Sequence, residues 1–453
     1  MLGLGGDDPN KKKKRKSSSI DFTMWNDIQG SARSLGSGSS LAGTTQATLT
    51  RNRALLLMVL VMAVMFFSIS STSLMRSSSQ SNNLRPATNS NAVMVRNNGD
   101  NKVMTFQDPV PVGTARHYVR HGDPVASTAP PRPNSFAIVV VADLDKQSKD
   151  ATSKKPTFYS FLQHGTLKIT RRAGSDLEDY SVSWGETQKF TTTMNEAGRG
   201  FELSELAWFN GKLLAFDDRT GIVYQLQHFE MGNTKPLRAV PQHIVMEGDG
   251  AAGKGQKHEW ATVKDGKLYM GSVGKEFTDN TGTVLGDSNL WVAVMDEHGD
   301  VHHEDWSSNF AHVRKALGCE YPGYVIHEAI EWSSVHRKWF ILPRRVSQEA
   351  YNDELDEKRG SNKVVIASED FSSVEVLSVG KITPLRGFSS FKFVPRTGDS
   401  VIVAIKSVEV EADQTQTSFL TVFDIQGNVL LDETELPGGH KYEGVAFAHD
   451  WSS

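Results

Sequence analysis

The chain has 453 residues, 38% hydrophobic and 23% charged, with a formal net charge of −4. Such values belong to a chain that buries a core, which excludes disorder throughout, and a charge so near zero excludes a dedicated nucleic-acid binder. The one cysteine, Cys319, excludes an intrachain disulfide and a cysteine-rich zinc site.

Residues 1–53 carry nine Lys/Arg against four Asp/Glu, with KKKKRK at Lys11–Lys16, whereas the rest of the chain is acidic. Between the two lies Ala54–Ser70, ALLLMVLVMAVMFFSIS, without a charge. As a helix it spans about 26 Å, close to the ~30 Å of a hydrocarbon core. Arg51 and Arg53 precede it, so the positive-inside rule predicts a single-pass membrane anchor with residues 1–53 cytosolic and the C-terminal body lumenal or outside. A cleaved secretory signal fits less well: the leader is long for an n-region, and no A-x-A pattern follows. The basic run then reads as a solvated cytosolic tail near anionic lipid rather than a nuclear address. Residues 71–134 are rich in Ser, Asn and Pro and predict a flexible stem. No N-x-S/T sequon occurs in the chain.

From Ser135 to Ser453 helix signals are scarce. Short β-branched runs such as FAIVVVADLD from Phe136, KLLAFDD from Lys212 and SVIVAIKS from Ser400 are parted by Gly, Asp and Asn turns. That predicts an all-β body. A repeat lies within it. LSELAWF from Leu203, HEWATV from His258, HEAIEWS from His327, FSSFKF from Phe388 and YEGVAF from Tyr442 each carry a small polar or acidic residue followed by apolar ones at +2 and +4. In register, the key positions are Ser204, Glu259, Glu328, Ser389 and Glu443. Strand repeats of this length are propeller blades, so five blades are expected. The last motif ends near the C-terminus, so strands from Ser135 and Thr157 are expected to complete its blade and close the ring. A β-sandwich with coincidental motifs is the alternative.

Equivalent positions on five inner strands converge on the axis. Three crowded glutamates repel unless protonated or neutralised by a cation. An all-oxygen ring of this size suits calcium better than magnesium or zinc. The alternative is glutamates that cap strand starts without a metal. Gly248–Lys254, GDGAAGK, matches a phosphate-loop pattern, but Gly255 stands where Ser or Thr is needed and a strand pattern follows, so it reads as a blade connection. Further polar groups sit at strand ends: Asp143 and Asp145 in VADLD, Asp218 and Arg219 in DDRTG, Lys275 and Glu276 in GKEF, Arg344 and Arg345 in LPRR. Paired arginines suit phosphate oxygens, and nearby carboxylates can hold a metal or polarise water.

The stretches GRGFELSELAWFNGKLLAFDDRTGIVYQL, KHEWATVKDGKLYMGSVGKEF, PGYVIHEAIEWSS, RKWFILPRRVSQEAY, GFSSFKFVP and KYEGVAF resemble the calcium-activated nucleotidases, the soluble calcium-dependent apyrases. The resemblance implies a five-bladed propeller with a central calcium and hydrolysis of nucleoside diphosphates, typically UDP and GDP, and variably of ADP and triphosphates. It implies calcium ligands at Ser204, Glu259, Glu328, Ser389 and Glu443, with Glu205 standing where the family often has Asp. It implies nucleotide-facing residues at Asp143, Asp145, Asp218, Arg219, Lys275, Glu276, Arg344 and Arg345. In the expected mechanism Asp143, Asp218 or Glu276 positions the attacking water, and the arginines, Arg344 foremost, neutralise charge on the phosphoryl group. Asp145, Arg219, Lys275 and Arg345 are expected to bind substrate. The resemblance also suggests a homodimer. With the anchor, it suggests a type II protein of the Golgi or endoplasmic reticulum, with a lumenal catalytic domain that stem cleavage would release. A calcium-dependent lactonase or esterase, and a calcium-pinned lumenal binding module, are the rival readings.

Overall fold

A computed structural model describes residues 132–451, except 176, 411, 413 and 414. The expected anchor, cytosolic tail and nearly all of the stem lie outside these residues. Among the described residues, no helix is long and apolar enough to cross a membrane.

The described chain forms five four-stranded antiparallel sheets. It begins with β1 (Ser135–Ala142), β2 (Phe158–Arg171) and β3 (Glu178–Thr192). The first complete blade is β4 (Leu203–Phe209), β5 (Lys212–Asp217), β6 (Ile222–Gln227) and β7 (Arg238–Ile244). The second starts with β8 (Trp260–Lys264) and β9 (Lys267–Gly271). A small hairpin interrupts it, β10 (Phe277–Thr278) and β11 (Val284–Gly286), before β12 (Trp291–Met295) and β13 (Val301–Asp305) complete it. The third blade is β14 (Tyr324–Ser333), β15 (Lys338–Ser347), β16 (Lys363–Ser368) and β17 (Val374–Ser378). The fourth is β18 (Gly387–Phe393), β19 (Val401–Val410), β20 (Thr415–Asp424) and β21 (Val429–Glu435). The last strand, β22 (Tyr442–Phe447), is the inner strand of a fifth blade whose other strands are β1, β2 and β3. The N-terminal strands thus close the ring, as the sequence predicts, and both ends of the body are held by one sheet.

The inner strands β4, β8, β14, β18 and β22 neighbour one another in that order, and β22 returns to β4. Between successive blades lie five apolar cores, which explains the uninterrupted apolar runs. In β1, Phe136, Ile138 and Val140 pack with Val403 and Leu420 of the fourth blade. Val139 and Val141, facing the other way, pack with Leu206 and Ala215 of the first. Period-two alternation buries both faces because each blade is sandwiched by its neighbours.

One helix departs from the sequence expectation. α1 (Ser307–Leu317) lies between the second and third blades, and Gly318 ends it in the left-handed region (φ 68°). Phe310 and Val313 pack beside Trp260, Trp306 and Trp339. Their spacing is helical, but one short amphipathic helix is a weak signal amid strand patterns. A second, single-turn helix, α2 (Asp353–Asp356), is capped by the Asn352 side chain. The glycine-rich Gly248–Lys254 segment is a turn leading towards β8, a strand and not a helix, as expected.

Candidate active site at the channel mouth

Each of the five repeat positions sits where the inner strand slips register. The pairing of β4 with β5 skips Ser204, and that of β18 with β19 skips Ser389. The β22 ladder skips Glu443, and the β14 ladder breaks across Glu328. In the second blade, Glu259 donates its N–H to Gly271 O at 2.8 Å, although Trp260 already pairs with Gly271. A bulge re-aims a side chain. Here it separates each repeat position from the residue at +2, which packs between blades: Leu206, Ala261, Ile330, Phe391 and Val445 are all core residues.

Glu259, Glu328 and Glu443 come together, each offering one carboxylate oxygen within 4.8 Å of the others. All three are buried. On the other two inner strands, the Ser204 and Ser389 hydroxyls are buried without a hydrogen-bond partner. Oxygens bound on opposite sides of a calcium ion lie roughly 5 Å apart, so the carboxylate spacing fits that ion. Two orphaned hydroxyls add neutral oxygen donors of the kind it accepts. These five residues fit a calcium ion.

Glu205 does not join the cluster. Its Oε1 accepts from Leu206 N at 2.7 Å and Ser390 Oγ at 2.8 Å, with Lys392 Nζ 3.3 Å away. Burial raises its pKa to about 8 despite Lys392.

The glutamates already touch cations. Arg344 Nη1 donates to Glu328 Oε2 at 2.6 Å, Ser407 Oγ at 2.6 Å and Glu443 Oε1 at 2.8 Å. Lys257 pairs with Glu259 and, at 2.6 Å, with Asp218 Oδ2. Lys441 Nζ lies 2.8 Å from Asp143, 2.6 Å from Asp145 and 3.3 Å from Glu409. Burial nevertheless pushes Glu259 well above the usual carboxylate range, and Glu328 to about 7. Asp143 is driven well up by burial and by Asp145, while Lys441 holds the partly exposed Asp145 down at about 2 against the pull of its own burial.

These groups line a cavity of about 310 Å³. Its wall carries ten Asp/Glu but four Lys/Arg, so added positive charge favours the entry of a polyanion. Two wall atoms lack partners. Asp218 Oδ1 is buried without a hydrogen bond. Arg345 is 3% exposed, its nearest carboxylate, Asp356, lies 3.8 Å away, and its Nε has no acceptor. Burial first, then Arg344, lower its pKa to about 10. Its Nη1 donates to Leu385 O at 3.5 Å, and a buried guanidinium with so distant a counter-ion suits an anion.

Of the residues singled out in the sequence, Asp143, Asp145, Asp218, Glu259, Glu328, Arg344, Arg345 and Glu443 line this cavity. Others have different partners. Arg219 pairs with Glu196. Glu276 is held by both Nη atoms of Arg314 on α1, at 2.9 Å each. Lys275 donates to Glu276 O and Thr278 Oγ1 and lies 4.2 Å from the ring centre of Tyr351, a wall residue. Sequence reasoning missed Lys257, Lys441 and Glu409. The two lysines left a signal: each stands two residues before a cluster glutamate, in KHE and KYE, on the same side of an extended chain.

A family model described as Apyrase matches residues 144–448. The chain is 44% identical over 316 residues to "Apyrase apy-1" of Caenorhabditis elegans, covering 69% of this chain and 84% of that protein. It is 43% identical over 315 residues to "Soluble calcium-activated nucleotidase 1" of Rattus norvegicus, covering 69% and 73%. It is 41% identical over 317 residues to "Apyrase" of Cimex lectularius, covering 69% and 82%.

Proposed function

This chain belongs to the apyrase family of nucleotide-phosphate hydrolases, and from that premise we propose that it removes the terminal phosphate of nucleoside diphosphates, UDP and GDP foremost, in a calcium-dependent reaction at this channel mouth. The observation that carries the reading is the pairing of an acid cluster sized for calcium with a buried, poorly countered Arg345 in the same wall. Ser204, Glu259, Glu328, Ser389 and Glu443 would hold the ion. Bound there, calcium supplies the positive charge that the acid-rich wall lacks and that phosphate oxygens require.

The protein's own groups do the rest. Arg345 binds the terminal phosphate, because its guanidinium is desolvated and short of a counter-ion. Arg344, locked by Glu328 and Glu443, presents a fixed cation beside it and stabilises charge that grows on the phosphoryl oxygens. Asp218 is the acid with an oxygen to spare: Oδ1 accepts a proton from the attacking water while Lys257 holds Oδ2. Burial raises the Asp218 pKa, which makes it a better base at neutral pH. The water oxygen bonds to the terminal phosphorus, the bridging P–O bond breaks, and nucleoside monophosphate leaves with the bridging oxygen. Asp143 and Asp145 act through Lys441, which they orient towards the cavity.

Anchored by Ala54–Ser70, the enzyme would act in the Golgi or endoplasmic reticulum lumen, where glycosyltransferases release UDP and GDP. The test is phosphate release from UDP, GDP, ADP and UTP in calcium, in magnesium and in chelator. Release in calcium alone, fastest on diphosphates, is expected. No release from a folded, calcium-stabilised protein would leave a binding module and retire the catalytic roles.

A further inference from the structure

One to four residues further along each inner strand from the repeat positions, a second polar layer crosses the channel, and all five inner strands contribute to it. Glu205 of β4 accepts from Ser390 Oγ of β18 at 2.8 Å. Val445 N of β22 donates to the same Ser390 hydroxyl at 3.2 Å. Lys392 of β18 bridges Glu205, at 3.3 Å, to Glu331 of β14. Thr262 of β8 donates to Glu331 Oε2 at 2.6 Å and accepts from Trp332 N at 3.0 Å. On the far side, Thr262, Glu331 and Lys392 line a separate cavity of about 450 Å³ at the other end of the channel. The layer therefore closes the channel beneath the cluster.

Its central bond joins two particular places. Glu205 follows Ser204, and Ser390 follows Ser389, so the bond ties together the two serine-bearing bulges, which lie on non-adjacent blades. Both serine hydroxyls are buried and unpartnered, and neither has a side-chain bond of its own to hold it in place. Each is followed directly by one partner of the Glu205–Ser390 bond.

We infer that Glu205 and Ser390 form a crosspiece that fixes the width of the oxygen ring, and thereby its preference for calcium over magnesium. The inference rests on the calcium site proposed above. Magnesium demands a tight octahedron and keeps its own waters, so it gains little from a preset wide ring, whereas calcium takes its oxygens at longer distances and benefits from both hydroxyls. Glu205 is thus a positioning residue and not a ligand.

The test is calcium and magnesium affinity of the purified full chain in detergent, by titration calorimetry, with metal-free unfolding measured alongside. Ser390→Ala removes the crosspiece but leaves Glu205 bonded to Leu206 N and paired with Lys392, so it is the milder variant. Glu205→Ala removes the acceptor, and Glu205→Gln retains one. The alanine variants should lose about tenfold or more in calcium affinity, while magnesium affinity changes less than about threefold. Glu205→Gln should stay within about threefold of the parent for calcium, because its amide oxygen still accepts from Ser390. A purely structural role would lower the metal-free unfolding temperature and leave the calcium-to-magnesium ratio untouched. Unchanged calcium affinity in Ser390→Ala would overturn the inference. A parent chain that binds no calcium would overturn the site itself.

Discussion

Gly444 lies against the backbone of Glu205: a Cβ at 444 would stand 2.7 Å from the Glu205 carbonyl carbon and 2.8 Å from its Cα. The contact is where the last inner strand meets the first, so the ring closes on a glycine beside the glutamate cluster. Gly387 plays a similar part, with Arg344 O 2.5 Å from where its Cβ would be.

Gly444→Ala forces these backbones apart. Backbone cannot rotate away as a side chain can, so a loss of about 1–3 kcal/mol is expected. Denaturant unfolding in chelator measures it. A midpoint equal to that of the parent would show that the closure is looser than this contact implies.

Arg345→Met should leave calcium affinity unaltered, because Arg345 touches none of the clustered glutamates. It should raise KM for UDP and cut kcat/KM by about 10–100-fold, the worth of one charge-assisted bond to phosphate. Steady-state kinetics beside a calcium titration separates the two effects. An unchanged KM would remove Arg345 from substrate binding.

Arg344→Ala strips the cation from two buried carboxylates at once. Removing one partner of a buried pair costs about 3–5 kcal/mol, so the metal-free protein should unfold far earlier. Calcium should restore much of the loss by neutralising Glu328 and Glu443, whereas turnover should stay low. Melting curves in chelator and in calcium show this as a larger calcium-induced shift than in the parent. Equal shifts would mean that Arg344 and calcium do not share these carboxylates.

His258 and His327 are fully buried, and burial lowers their pKa values to about 4 and about 3. Both remain neutral in the fold, while in the unfolded chain each takes up a proton below about pH 6.5. The unfolded state therefore binds more protons, and each histidine removes about 1.4 kcal/mol of stability per pH unit as pH falls from 6.5 towards its folded value. Buried carboxylates with raised pKa values act in the opposite sense, so the difference between His327→Leu and the parent isolates the effect. In chelator, that difference should shift in favour of the variant between pH 6.5 and 5. A difference independent of pH would mean that His327 is protonated in the fold or solvated.

The five repeat positions, the number of blades and the closure by N-terminal strands were all legible in the residues. Each follows from a local period: alternation marks a strand, and a phase that recurs every blade marks the axis. The paired arginines and the acids at strand ends were legible for a similar reason, because strand ends cluster at one mouth of a propeller. Sequence by itself thus determined the architecture and eight of the 17 residues that line the cavity. Tertiary structure decided how the charges are shared. Nothing local tells that Arg344 spans Glu328 and Glu443 on different blades, that Arg314 on a helix takes Glu276 out of the wall, or that Glu205 reaches across to Ser390 instead of joining its neighbour Ser204. Period-two alternation assigns a face within one sheet. It does not say which atoms of five sheets meet, because bulges turn single residues off their face and long side chains bridge blades far apart in sequence.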